Sequence, residues 1–129
     1  MINWEFVVPV DECVFKEFEN TYGIEVPEDL RELVLEANAG TPEPCNVTDE
    51  DGNERVIGTI LSYSDKVRTT VFKALKRIPD KKYIPFAVDP FGNYFCENIL
   101  IGNIMFYNHE TSEFIKVSDS LDEMIKSIH

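Results

Sequence analysis

Positive charge is scarce in this chain. Twelve Lys and Arg stand against twenty-four Asp and Glu, giving a formal net charge of −12 at pH 7 and a sequence pI of about 4.5. So acidic a molecule repels duplex DNA and anionic bilayers, so no direct nucleic acid and no membrane is expected as a partner, and a basic protein is the natural complement. Cysteine is scarcer still. Cys13, Cys45 and Cys96 are odd in number, far apart and outside any C-x-x-C spacing, which excludes a disulfide framework and a zinc site and leaves all three as small hydrophobes in or near a core. Histidine occurs twice. His129 is the last residue and is expected to be frayed and solvated. That leaves His109 as the single candidate base or ligand, and with no second His or Cys at ligand spacing it reads as a turn residue bonding locally. No G-x-S-x-G, G-x-x-x-x-G-K, G-x-G-x-x-G or H-E-x-x-H occurs. Neither a cofactor nor a metal is therefore expected, and no residue is assigned a catalytic role. Long apolar runs are missing too: no stretch approaches the roughly 18 residues of a membrane span. Met-Ile-Asn-Trp-Glu at the N-terminus lacks the basic-then-apolar order of a secretory leader, so the expected location is cytoplasmic.

What the chain does have is apolar material. Hydrophobic residues make up 43% and aromatics 12% of 129 residues, enough for one domain spanning 1–129 and burying roughly two thirds of its unfolded surface. Tyr83 to Tyr107 is the organising stretch: apolar and β-branched runs broken at Asp89–Asn93 and at Gly102-Asn103, the pattern of an antiparallel meander. Ile84 to Val88 is nearly free of polar residues, which predicts a strand covered on both faces.

Helices are expected on either side of this meander. Val14, Phe15, Phe18 and Tyr22 recur at helical spacing after a capping Asp11 and before Gly23, and Leu30, Leu33, Val34 and Ala37 form a second stripe after Pro27. Ser64-Asp65 predicts a third helix running to about Arg77, with Val67, Val71, Phe72 and Leu75 inward and five cations on its other side. Those cations have no interleaved aromatics, so the stretch reads as a solvated helix rather than a nucleic-acid patch. Ser120-Leu-Asp-Glu123 is a capping box opening a fourth helix, after a last strand over Phe114 to Val117.

Between the second and third helices, Thr41 to Asn53 is the most acidic stretch and the one expected to be least ordered. Asp51-Gly52 marks a tight turn, with Arg55 to Ile60 as the second arm of a hairpin. A calcium loop at Asp49–Asp51 fails for want of its remaining ligands. Glu43, Asp49, Glu50, Asp51 and Glu54 are instead the candidate partner-binding residues, on an exposed acidic loop.

The order of short motifs resembles the SMI1/KNR4 (SUKH) family. They are Phe18-Glu19 through Tyr22-Gly23-Ile24, Pro27-Glu28-Asp29-Leu30, Asn38-Ala39-Gly40, Ile84 to Asp89 with Gly92-Asn93, and Ser118-Asp119-Ser120-Leu121. The resemblance runs over almost the whole chain, with Asn38-Ala39-Gly40 where Asn-Gly-Gly is usual and Tyr107-Asn108-His109 where tryptophan is common in the aromatic place. It implies an α+β fold, a mostly antiparallel, curved sheet with about four helices packed around it. It also implies a non-catalytic role, either as an immunity protein that neutralises a cognate polymorphic toxin, often a nuclease, or as a regulatory scaffold for an endogenous protein. Together with the acidic charge, the expected partner is a basic toxin domain. Oligomeric state is not legible in the sequence.

Overall fold

A computed structural model describes residues 2–129. Its largest sheet has five antiparallel strands in sequence order: β5 (Thr59–Ile60), β6 (Tyr83–Val88), β7 (Tyr94–Asn98), β8 (Ile104–Asn108) and β9 (Glu113–Ser118). Every residue of β7 and the first five of β6 are buried, as an apolar run without alternation requires. Tyr94 pairs with Tyr107 and Phe95 with Phe106, so neighbouring residues send rings to opposite faces. On one face Phe95 meets Phe106 edge-on at 5.2 Å; on the other Phe114 lies 4.8 Å from Tyr107 and 4.4 Å from Tyr83. Pro85 lies inside β6, where its missing N–H would break a regular ladder. The register shifts between Pro85 and Ala87, and the irregularity absorbs the proline.

Two small two-stranded sheets complete the strands. β1 (Asn3–Glu5) pairs with β2 (Thr41–Glu43), and β3 (Asn46–Thr48) pairs with β4 (Glu54–Val56). Residues 41–53 thus hold two paired strands and a hydrogen-bonded turn and are not the loose segment their composition predicts. The expected second arm Arg55–Ile60 divides at Gly58. Ile57 donates to Cys45 of the small hairpin, while Gly58 donates to Val88 of the main sheet. A Cβ at Gly58 would fall 2.9 Å from the Val88 carbonyl, so only hydrogen fits where the chain passes between sheets.

Four helices flank the strands: α1 (Cys13–Tyr22), α2 (Glu28–Ala37), α3 (Val71–Leu75) and α4 (Leu121–Ser127). All four residues of the predicted α2 stripe are buried, Leu30, Leu33, Val34 and Ala37, whereas in α1 Phe15 and Phe18 are buried, Val14 is half-buried and Tyr22 is exposed. Gly23 ends α1 at φ 68°, Asp11 accepts the Cys13 N–H at 3.0 Å, and the Ser120 hydroxyl accepts the Glu123 N–H at 3.1 Å. The third helix is the correction. It is five residues long, and 64–70 form turns with a parallel bridge between Ser62 and Thr70. The Ser62 and Ser64 hydroxyls accept the backbone N–H groups of Ser64 and Lys66, and the Thr70 side chain takes over as cap by accepting from Lys73.

Two further expectations change. Cys13 is exposed, with Cys45 half-buried and Cys96 buried, so only two of the cysteines pack as small hydrophobes. His129 is anchored: its N–H donates to the Asn46 carbonyl and its carbonyl accepts from Asn46, both at 2.9 Å, extending the ladder along β3.

The end of α2 shows what the Asn-Ala-Gly departure does. Ala39 adopts φ 63°, a left-handed torsion natural to glycine, while Gly40 takes a close approach in which a Cβ would lie 2.9 Å from the Ala37 carbonyl and 3.1 Å from Val7. The turn is retained and the alanine carries the strain. Ala39→Gly is therefore expected to stabilise the protein by about 1 kcal/mol, the left-handed cost of a Cβ offset in part by the freedom of an unfolded glycine. Urea unfolding checks this: the midpoint should rise with an unchanged slope, and a fall would show that the methyl packs.

Candidate partner-binding surface

The five acidic residues singled out in the sequence do not form one exposed cluster. Glu43 is exposed on β2, in a different sheet from the hairpin, whose tip carries exposed Glu50 and Asp51, with exposed Glu54 at the start of β4. Asp49 is 4% exposed and faces inward. One carboxylate oxygen accepts the N–H groups of Asp51 and Asn53, each at 2.9 Å, and the other meets Arg55 Nε at 2.9 Å. Burial alone would raise the Asp49 pKa, but the backbone donors and the Arg55 guanidinium outweigh it and hold the carboxyl below its usual range. Arg55 in turn lies over the Phe106 ring at 4.3 Å, which ties the hairpin to the main sheet. Asp49 builds the turn and is corrected out of the candidate set.

A signal for this was present. Asp49-Glu50-Asp51-Gly52-Asn53 and Asp89-Pro90-Phe91-Gly92-Asn93 share the pattern D-x-x-G-N, and the two turns have the same bonds. Asp89 also accepts from the amides two and four residues on, at 2.8 Å each, and Gly52 and Gly92 both have positive φ. His109 closes the second turn, its N–H donating to Asn93 Oδ1 and its ring nitrogen 3.0 Å from the Phe91 carbonyl; it is a turn residue as expected, but it bonds across to the Asp89–Asn93 turn and not within its own.

Two depressions flank α4 and gather six further carboxylates beside Glu50. Between α2 and α4 lies a groove of about 240 Å³ with Trp4, Leu33, Leu121 and Ile125 as its apolar lining and Asp29, Glu32, Glu36 and Asp122 as its polar lining. On the other side of α4, a depression of about 340 Å³ joins Glu50 of the hairpin to Asp119 and Glu123, with Lys116 as its cation. Lys116 is bonded to Asp119, and Lys126 pairs with Asp122 at 2.9 Å. Seven carboxylates therefore line a band running from α2 over α4 to the hairpin tip, against two cations that are already paired. The Glu50 N–H donates to the Lys116 carbonyl at 2.9 Å, fixing the hairpin end of the band against β9. Sequence reasoning missed the α2–α4 half because it is assembled from residues some ninety positions apart.

Asp11 hydrogen-bonds the Cys13 thiol and raises its pKa, disfavouring the thiolate, and burial pushes the Cys96 thiol up. Among the described residues, no group of three or more His, Cys, Asp or Glu side chains is placed to hold a metal ion. Among them too, no helix is long and apolar enough to cross a membrane. The band can thus present charge, over an apolar floor in its α2–α4 half, which suits recognition of a cationic macromolecule.

Comparison with known proteins adds two findings. No curated protein matches the chain. The sequence model of the SMI1 / KNR4 family (SUKH-1) matches residues 9–127, nearly the whole length, and it meets a fold of four helices on mostly antiparallel, open sheets. With that span matched, the chain belongs to the SMI1/KNR4 family (SUKH-1).

Proposed function

We propose that this protein is a non-catalytic immunity protein that neutralises a cognate toxin, a nuclease, by covering its cationic nucleic-acid groove with the acidic band around α4. The family is known for immunity proteins and is generally non-catalytic. The observation that carries the reading is the band itself, seven carboxylates, four of them around an apolar groove, with its two cations already paired. A surface of this kind accelerates capture of a basic partner towards about 10⁸–10⁹ M⁻¹s⁻¹ at low salt, which suits interception of a toxin before it acts.

The test is co-expression with the product of the neighbouring gene, scored for rescue of growth and for a copurifying complex. Glu36→Lys and Glu123→Lys reverse charge at exposed positions on either side of the band. Together they are expected to slow association by about tenfold or more and to flatten its salt dependence. An unchanged rate and an unchanged salt slope would remove the band from the interface.

A further inference from the structure

Residues 65–82 carry a charge opposite to the rest of the molecule. Seven of the twelve Lys and Arg fall here against only Asp65 and Asp80, so the stretch is +5 and the remaining residues sum to −17. Among the described residues, Lys82 is the one cation of the seven in an ion pair, with Asp80 at 3.6 Å. Lys73 emerges from α3, Lys76 and Arg77 from the turn that ends it and Lys81 from the next turn, all exposed. Next to them a cavity of about 190 Å³ opens between the C-terminal ends of α1 and α3 and the start of β6. Ile24, Leu75, Ile78 and Tyr83 give it apolar walls, and Lys76 and Lys81 belong to its lining, as does the bridged Asp80.

We infer that this is a second docking site, one that takes an acidic peptide segment and seats a single aromatic or branched aliphatic side chain in the cavity. Size sets the anchor: an apolar cavity of about 150 Å³ holds a benzene ring, so this one holds one such side chain and little more. Charge sets the flanks, since unpaired lysines and arginines around an apolar pocket complement carboxylates on either side of the anchor. Nucleic acid fits less well. Bases need free aromatic faces to stack on, whereas Tyr22 lies against Phe72 with planes 14° apart and Tyr83 against Phe114 at 4.4 Å. An extended polyanion or an anionic bilayer would also meet the −17 carried by the remaining residues. The site uses none of the acidic band and stands independently of the toxin reading.

The probe is a labelled decapeptide of glutamates and aspartates with one central phenylalanine, titrated at low salt against the whole protein, with methyl NMR of Leu75 and Ile78. Saturable binding is expected, with ring-current shifts at those two residues. Affinity should fall about tenfold in Lys76→Glu/Lys81→Glu, whose exposed positions leave the fold intact by circular dichroism, and about tenfold for the peptide with serine in place of phenylalanine. Absence of saturation at about 1 mM peptide would overturn the inference. So would equal affinity for the serine peptide, or binding of a ten-residue oligothymidine or a phosphatidylserine vesicle as tight as that of the phenylalanine peptide.

Discussion

Replacing Asn38 by alanine is expected to cost about 3 kcal/mol of stability and to lower Tm by about 10 °C. Asn38 is fully buried at the end of α2, and its side chain ties together three segments that share no secondary structure. Nδ2 donates to the Val8 carbonyl at 2.9 Å and to the Ser62 hydroxyl at 3.0 Å, while Oδ1 accepts the Tyr63 N–H at 2.9 Å. The backbone of Asn38 adds another link by accepting from Val8 at 2.9 Å. Alanine keeps that backbone bond but leaves the buried Tyr63 N–H without its acceptor, and an orphaned donor costs more than the bond was worth net. Asn38→Asp separates the two roles. It keeps the acceptor for Tyr63 but turns a carboxylate towards the Val8 carbonyl, so its loss should be largest at neutral pH and partly recovered in acid, where the carboxyl can donate again. Thermal unfolding of both variants at pH 5 and pH 7 is the measurement, and a loss below about 1 kcal/mol for the alanine variant would mean that water replaces the amide.

How much of this was legible beforehand follows from how local each signal is. α1, α2 and α4 were readable because their apolar spacing and their flanking Asp11, Gly23 and Ser120 all act within one or two turns of chain. The meander was readable for the same reason, its reversals being set by residues at the turns themselves. α3 failed because the charge alternation of 64–77 imitates an amphipathic helix, while Ser62 and Thr70 bring the chain into a bridge that no local pattern announces. β1, β2 and β5 are two or three residues long and exist only because distant partners pair with them. The candidate surface divides along the same line. Exposed Glu50, Asp51 and Glu54 could be read from a hairpin tip, the inward turn of Asp49 from its likeness to Asp89, but a groove between α2 and α4 could not be read at all.

Glu97→Gln is expected to stabilise the protein at pH 7 by about 3 kcal/mol and to remove most of its loss of stability between mildly acidic and mildly alkaline pH. Glu97 lies in the middle of the main sheet, 2% exposed, with Oε1 lacking a hydrogen-bond partner among the described residues. Burial, first, and then the charge and hydrogen bonding of the neighbouring Asp29 push its pKa up to about 8, from 4.5 in the unfolded chain. The fold therefore holds a proton that the unfolded chain releases. Below pH 4.5 both states are protonated and the group is neutral to stability. From there to about pH 8 each unit costs about 1.4 kcal/mol, and above pH 8 the folded state ionises as well and the penalty levels off. Glutamine has the same shape, never ionises, and can donate its amide to the Asp29 carboxylate. Urea midpoints at pH 5, 7 and 9 decide it: wild type should weaken across the series, while the variant should hold nearly level and lie above wild type at pH 7 and 9. Parallel curves would show that Glu97 titrates alike in both states. The pKa that burial gives this carboxyl would then be wrong, and the family fold would carry the acid at no cost.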